Sequence, residues 1–351
     1  MKKILFVNPF GLGDIIFTLY AVAAVKKTYP QAQVDFLCNE RTIALVRMNP
    51  DIAHAYEFNR DRLRAVRSNS FLAFLGEYRS LIADWKRKKY EAMFDLSLGR
   101  EFAFLGMLAG IPRRYGFDHK GRGIFLTHKL PFAGYEGKPV TETQFDLLRR
   151  AGISVYSPSE LHWKIPQADE QKAEALLKND SVGPWMALAP GGGETWGTNA
   201  LFKQWDAEKF VVAANHWARS EGGILLLGSA SEKALLERLR DALRVPCVVS
   251  CGEPLSVVGA LLRRSKLFLG NDGGLLHFAH SLGVKSVSVF GPVDEKAYGP
   301  YGSGASSEVV TAEVPCRPCY KNFNFPPCPY DRRCLTEISV QKVLESVDKI
   351  A

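Results

Sequence analysis

Long apolar runs are missing from this chain. No stretch of its 351 residues reaches the ~18–20 consecutive apolar side chains that a membrane-crossing helix needs, which excludes a helical span. A secretory leader is not expected either. Met1-Lys2-Lys3 leads at once into Ile4-Leu5-Phe6-Val7, too short an apolar segment and without a cleavage-site pattern, so a cytoplasmic location is expected. There is no internal repeat and no low-complexity tract, which excludes solenoids and extended disordered tails. Cysteine is sparse. Cys38, Cys247 and Cys251 lie in or beside apolar segments and read as core, whereas Cys316, Cys319, Cys328 and Cys334 cluster late.

The chain is long enough for two domains with full cores. Its formal net charge of +8 is uneven, since Arg60–Lys129 carries about 15 Lys and Arg against 7 Asp and Glu and the remainder is near balance. A basic first half suggests an anionic partner; the plainer reading of any single cluster, such as Lys86-Arg87-Lys88-Lys89, is a solvated face.

Strand-like and helix-like segments alternate along the chain. In the first half, strands are expected at Lys3–Asn8, Val34–Cys38 and Ala92–Leu96, and helices at Asp14–Thr28, Phe71–Lys89 and Thr141–Ala151. The Pro- and Ser-containing stretch Ile153–Pro166 is the linker candidate. Beyond it, strands are expected at Met186–Ala189, Ile224–Leu227, Val245–Val249, Leu267–Leu269 and Ser286–Phe290, with helices between them. Repeated βα units imply an α/β fold of two parallel-sheet domains facing a cleft, with ligands at the carboxyl ends of the strands.

Several strand ends carry residues suited to chemistry. Asn271-Asp272-Gly273-Gly274-Leu275-Leu276-His277 follows an apolar run and opens a helix, the layout of an anion-binding turn; a plain turn with a satisfied histidine is the competing reading. Gly11-Leu12-Gly13-Asp14 follows the first strand. The full dinucleotide fingerprint is absent there because Ile16 stands at its last position, and an acid at this helix start would repel a pyrophosphate. Asp14 therefore reads as a general base or as an ordinary helix-start residue. Pro190-Gly191-Gly192-Gly193-Glu194-Thr195 can wrap a ligand with backbone donors. Lys203, just before Trp205, can neutralise a diphosphate, or be a surface lysine beside a packed Trp. Glu232, after Gly228, can accept from a ribose or complement a helix dipole.

Together these segments resemble glycosyltransferase family 9, the bacterial lipopolysaccharide heptosyltransferases. The pieces that match are Gly11-Leu12-Gly13-Asp14-Ile15-Ile16, Pro190-Gly191-Gly192 leading to Lys203-x-Trp205, the Gly228…Glu232 turn, and Asn271–His277. The resemblance implies a GT-B fold: residues 1–160 as a Rossmann-like acceptor domain, 161–335 as a Rossmann-like donor domain, and 336–351 as a closing helix that packs back on the first. It implies an inverting transfer of heptose from an ADP-sugar donor to an anionic lipid-linked saccharide, the lipid A inner core, at the inner membrane surface, where Phe71–Lys89 can rest. Asp14 corresponds to the proposed base and Lys203 to the lysine beside the donor phosphates. Glu232 corresponds to the acid near the adenosine ribose, and Asp272, Gly274 and His277 to the turn contacting diphosphate and sugar. Gly13, Gly191, Gly192, Thr195 and Gly273 complete the expected donor set. Gly273 stands where the family usually has Ser or Thr, and Tyr20 where it often has Pro.

No catalytic metal or cofactor is required, because lysine and helix-end charge can replace a divalent ion. Cys316-x2-Cys319-x8-Cys328-x5-Cys334 has the leading spacing of a metal site; free thiols in a Pro-rich loop are the favoured reading and a structural metal the second. Two other functions remain open: a transferase of the same family with another nucleotide sugar or a protein acceptor, and a non-catalytic nucleotide- or nucleic-acid-binding protein. The scattered aromatics of the basic half show no RNA-binding signature, so nucleic acid is not the expected partner.

Overall fold

The computed structural model describes residues 1–59, 65, 68, 71–155, 160–178, 182–302 and 304–350, with 71, 72, 74 and 194–198 described by backbone alone. It divides into two compact units, Met1–Gly134 with Val140–Leu161, and Tyr135–Pro139 with His162–Ala351. Residues 156–159 of the expected linker lie outside the described residues.

The first unit holds a six-stranded sheet of β1 (Lys3–Val7), β2 (Gln33–Asn39), β3 (Ile52–Phe58), β4 (Ala92–Asp95), β5 (Arg113–His119) and β6 (His128–Phe132), in the order β3-β2-β1-β4-β5-β6. Every neighbouring pair is parallel. β1 and β4 are the inner strands and are almost wholly buried, as strands covered on both faces must be, so they read as continuous apolar runs. The Leu12–Thr28 helix is buried from Ile15 to Val25 on nearly every side, with the Val140–Arg150 helix packed against it. On another cluster, Trp85 and Tyr90 join Phe102 and Leu105 over Leu5, Val7 and Met93, which seats the Phe71–Lys88 and Glu101–Leu108 helices side by side.

The second unit repeats the plan with β7 (Trp185–Ala189), β8 (Gly223–Gly228), β9 (Cys247–Cys251), β10 (Ser265–Asn271), β11 (Lys285–Phe290) and β12 (Ser307–Thr311), in the order β12-β11-β10-β7-β8-β9. All pairs are again parallel. In both sheets the strand order reverses between the two central strands, β1 and β4 in one, β7 and β10 in the other. Those are the switch points where an open parallel sheet leaves a crevice above its carboxyl ends.

The closing helix Val340–Ile350 packs on the second unit. Its Val343, Val347 and Ile350 are buried in the second unit's own core with Trp217, Val287 and Val310. The apolar stripe at i, i+4 and i+7 finds a ready face beside β11 and β12 and the Ala207–Ala218 helix. Among the described residues no helix is long and apolar enough to cross a membrane.

Candidate active site

The second unit gathers most of the expected donor residues at its switch point. β7 ends at Ala189 and runs into Pro190-Gly191-Gly192-Gly193; β10 ends at Asn271 and turns through Asp272 and Gly273 into the Gly274–Ser281 helix. Asn271 ties these loops together. Its Nδ2 donates to the carbonyls of Pro190 (2.7 Å) and Gly191 (3.2 Å), and its Oδ1 accepts from the Trp205 backbone N–H (2.9 Å). The sequence places Asn271 at the head of the anion-binding turn but gives it no role of its own. The signal available was a buried-strand terminus occupied by a carboxamide, which both donates and accepts in a fixed plane.

That tie places Lys203 beside the turn. Lys203 Nζ lies 2.6 Å from Asp272 Oδ2, and both side chains are more than nine-tenths buried. Lys203 is therefore not the surface lysine that local sequence alone would favour. His277, one turn into the helix, is buried as well. Burial, then the nearby Lys203 charge and His280 push its pKa down from 6.5 to about 3, so the imidazole is neutral at physiological pH. A neutral ring can offer a hydrogen bond but no charge.

Glu232 closes the other side of the glycine loop. Its Oε2 accepts from the Ser229 backbone N–H (2.8 Å) and from Ser229 Oγ (3.0 Å), the helix-start role open to it from sequence. The same carboxylate also abuts Gly191: a Cβ there would lie 1.7 Å from Glu232 Oε1. Gly192 is equally committed, with a Cβ meeting the Ala200 carbonyl at 2.5 Å, and Gly193 takes φ +72°. Three adjacent glycines are thus required by contact and conformation. Of the Thr195 side chain nothing is described. Gly273 differs: its φ is −178°, which any residue adopts, and its Cβ would meet only the Asn271 carbonyl at 3.9 Å.

In the first unit, Asp14 sits in the first turn of the helix that leaves β1, half-buried beside Gly13. Its Oδ2 accepts from the Gly11 backbone N–H at 3.2 Å, so the helix-start role is realised here too. The loop carrying it is pinned from two strands. Asn8 at the end of β1 donates to the Asp14 carbonyl (3.2 Å) and to Thr18 Oγ1 (2.8 Å), and Asn39 at the end of β2 donates to the Pro9 carbonyl (3.0 Å). Asp95, at the end of β4, is a buried acid at this edge. Burial raises its pKa to about 6 against the lowering effect of bonds from Ser97 and the Ala103 backbone.

The late cysteines are all free thiols. Burial, joined by the charge of neighbouring cysteines, raises Cys334 to about 11 and raises Cys319, which keeps both protonated. Among the described residues no group of three or more His, Cys, Asp or Glu is arranged to hold a metal ion.

The model of glycosyltransferase family 9 (heptosyltransferase) matches residues 78–326. Lipopolysaccharide heptosyltransferase 3 of Escherichia coli is 24% identical over 83% of this chain and 84% of its own length. Lipopolysaccharide heptosyltransferase 1 of Pseudomonas aeruginosa is 24% identical over 99% of this chain and 97% of its own. Among solved structures, the E. coli ADP-heptose lipopolysaccharide heptosyltransferase II superposes with a TM-score of 0.78 at 20% identity, covering 100% of this chain and 98% of that one.

Proposed function

The chain belongs to glycosyltransferase family 9, and from that premise we propose that it transfers a heptose, with inversion, from ADP-heptose to a phosphorylated lipopolysaccharide inner-core acceptor. That it is a glycosyltransferase follows from the family; donor and acceptor are our reading. The observation that carries it is the buried Lys203–Asp272 pair beside the Gly273-Gly274 helix start, at the carboxyl end of a parallel sheet. Relatives named for lipopolysaccharide heptose transfer support the sugar, and one named for ADP-heptose supports the nucleotide.

The chemistry separates charge. As the anomeric C–O bond breaks, positive charge grows on the sugar and negative charge on the departing diphosphate. Helix N–H groups at Gly274 and the Lys203 ammonium stabilise the diphosphate in a site shielded from water, where such fixed charges count most. Neutral His277 offers a hydrogen bond there. Gly191 and Gly192 line the nucleotide side, and Glu232 accepts from the ribose. In the first unit, Asp14 takes the proton from the attacking hydroxyl. The basic stretch Arg60–Lys129 suits an acceptor that carries phosphate. The mechanism asks for no divalent ion.

The test is a transfer assay with ADP-heptose and a deacylated inner-core acceptor, reading ADP release, alongside thermal shifts with ADP, UDP, GDP and CMP. We expect turnover and stabilisation by ADP above the others. Stabilisation by UDP or GDP alone, with no turnover of ADP-heptose, points to a different nucleotide sugar and overturns the donor assignment.

A further inference from the structure

The Glu101–Leu108 helix is apolar on both its faces. Phe102, Ala103, Leu105 and Gly106 are buried against the first sheet's cover, as expected. Yet Phe104, Met107 and Leu108, on the opposite side, are 38%, 39% and 48% exposed. Spaced i, i+3 and i+4, they form one stripe. Arg100, four residues before Phe104, is exposed at its end.

The patch continues across the next connection. The short turn Gly123–Phe125 packs on this helix, with the Phe104 and Phe125 rings 4.8 Å apart and Ile124 the most exposed of the group at 58%. Arg114 Nε donates to the Phe125 carbonyl (2.8 Å), fixing that turn from beneath. A soluble domain rarely leaves four large apolar side chains in water, with half-buried Phe125 beside them, without a use for them.

Charge decides what covers this face. Arg100, Arg113, Arg114, Lys120, Arg122 and Lys129 outnumber Glu101 and Asp118 between residues 100 and 129. Both acids are already engaged: Glu101 accepts from the Tyr78 hydroxyl, and Asp118 accepts from the Gly123 backbone N–H (2.9 Å) and pairs with Lys129 (2.8 Å). Arg100, Lys120 and Arg122 are exposed and carry no ion pair among the described residues. An apolar patch flanked in sequence by exposed cations matches a surface with an apolar interior and anionic heads, where each juxtamembrane base adds to the attraction.

We propose that Phe104, Met107, Leu108, Ile124 and Phe125, with Arg100, Lys120 and Arg122, form the face by which the protein docks on an anionic lipid bilayer. The inference deepens the functional reading, since a lipid-linked acceptor is reached from a bilayer surface, but its test does not depend on transfer. Full-length protein is sedimented with vesicles of phosphatidylglycerol and phosphatidylethanolamine, and with phosphatidylcholine vesicles as the neutral control. Binding should favour the anionic vesicles and weaken with salt. Met107→Ser with Leu108→Ser should lower it by about tenfold or more per apolar side chain removed, Ile124→Ser likewise, and Arg122→Glu should reduce the anionic preference. All four positions are exposed, so unchanged thermal midpoints are expected. Turnover of a soluble acceptor by the serine variants, read in parallel, should stay at the wild-type level; its absence in every protein, wild type included, defeats the functional reading and not this one. Wild-type protein that ignores anionic vesicles, variants that bind as before, or a patch variant whose main effect is to dissociate an oligomer in solution each overturn the proposal.

Discussion

Lys203 Nζ and Asp272 Oδ2 are 2.6 Å apart in a site where both side chains are nearly sealed from water. Two consequences follow from burial. Without donor, the lysine's charge is balanced within the protein, so the site is close to neutral and anion attraction rests on the helix start at Gly274 as much as on Lys203. And the pair is costly to break from one side. Lys203→Met leaves a buried carboxylate unpaired and should destabilise the second unit by about 3–5 kcal/mol, whereas Lys203→Met with Asp272→Leu should recover most of that loss. Urea unfolding at neutral pH reads both. Equal stability of the single variant and wild type would show that the pair is solvated in solution.

His277 gives the second unit a pH dependence of known sign. Its folded pKa is about 3, lowered chiefly by burial and then by Lys203 and His280, against 6.5 unfolded. As pH falls, the unfolded chain takes the proton first. The stability held by the neutral, buried ring is therefore complete above about pH 6.5 and is lost progressively below it. His280 is shifted the same way, again chiefly by burial. Asp95 opposes them, because its folded pKa of about 6 makes the folded state take the proton first and gain stability as pH falls. Unfolding midpoints between about pH 8 and about pH 5 should fall less steeply for His277→Gln than for wild type, and more steeply for Asp95→Asn. Parallel curves for His277→Gln and wild type would mean that the ring is not buried neutral.

Asp14 carries two readings that one pair of variants separates. As a helix-start acceptor for the Gly11 N–H, it should be replaceable by Asn at little loss of stability, while Ala costs about 1 kcal/mol. As the general base, it should lose ~10²-fold or more in turnover with either substitution, and donor affinity should hold. Asn that keeps both stability and turnover leaves Asp14 as a cap alone.

Much of this was legible in the residues because inner strands of parallel sheets are continuous apolar runs. β1, β4, β7, β8, β10 and β11 all follow segments expected to be strands. The strands that went unread are polar. β3 (Ile-Ala-His-Ala-Tyr-Glu-Phe), β5 (Arg-Arg-Tyr-Gly-Phe-Asp-His) and β6 (His-Lys-Leu-Pro-Phe) lie toward the edges of the first sheet or beyond its switch point, and β12 is an edge strand of the second. Such strands need less apolar sequence and so announce themselves less. The Glu101–Leu108 helix hid for the opposite reason, since apolar residues all round leave no helical period to detect. At the site, glycines and charges could be picked out, but their joining could not. That Asn271 ties three segments, and that Lys203 turns inward to Asp272, depends on contacts between residues 60 or more apart in sequence.

Gly273 offers the most direct probe of how this member handles its donor. The backbone there is extended and a Cβ meets nothing closer than 3.9 Å, so Ser or Thr fits without strain. Replacing Gly also removes unfolded-state freedom, so Gly273→Ser should gain about 0.4–1 kcal/mol of stability. If a donor phosphate sits at this helix start, the new hydroxyl adds a hydrogen bond to a charged oxygen, worth about 1.5–3 kcal/mol at best and roughly tenfold in affinity at its lower end. Calorimetric titration with ADP should show that gain in Gly273→Ser and none in Gly273→Ala, which shares the backbone effect but lacks the hydroxyl. Equal ADP affinity in Ser, Ala and wild type would place the diphosphate away from this turn and shift the donor assignment toward the Gly191–Gly193 loop alone.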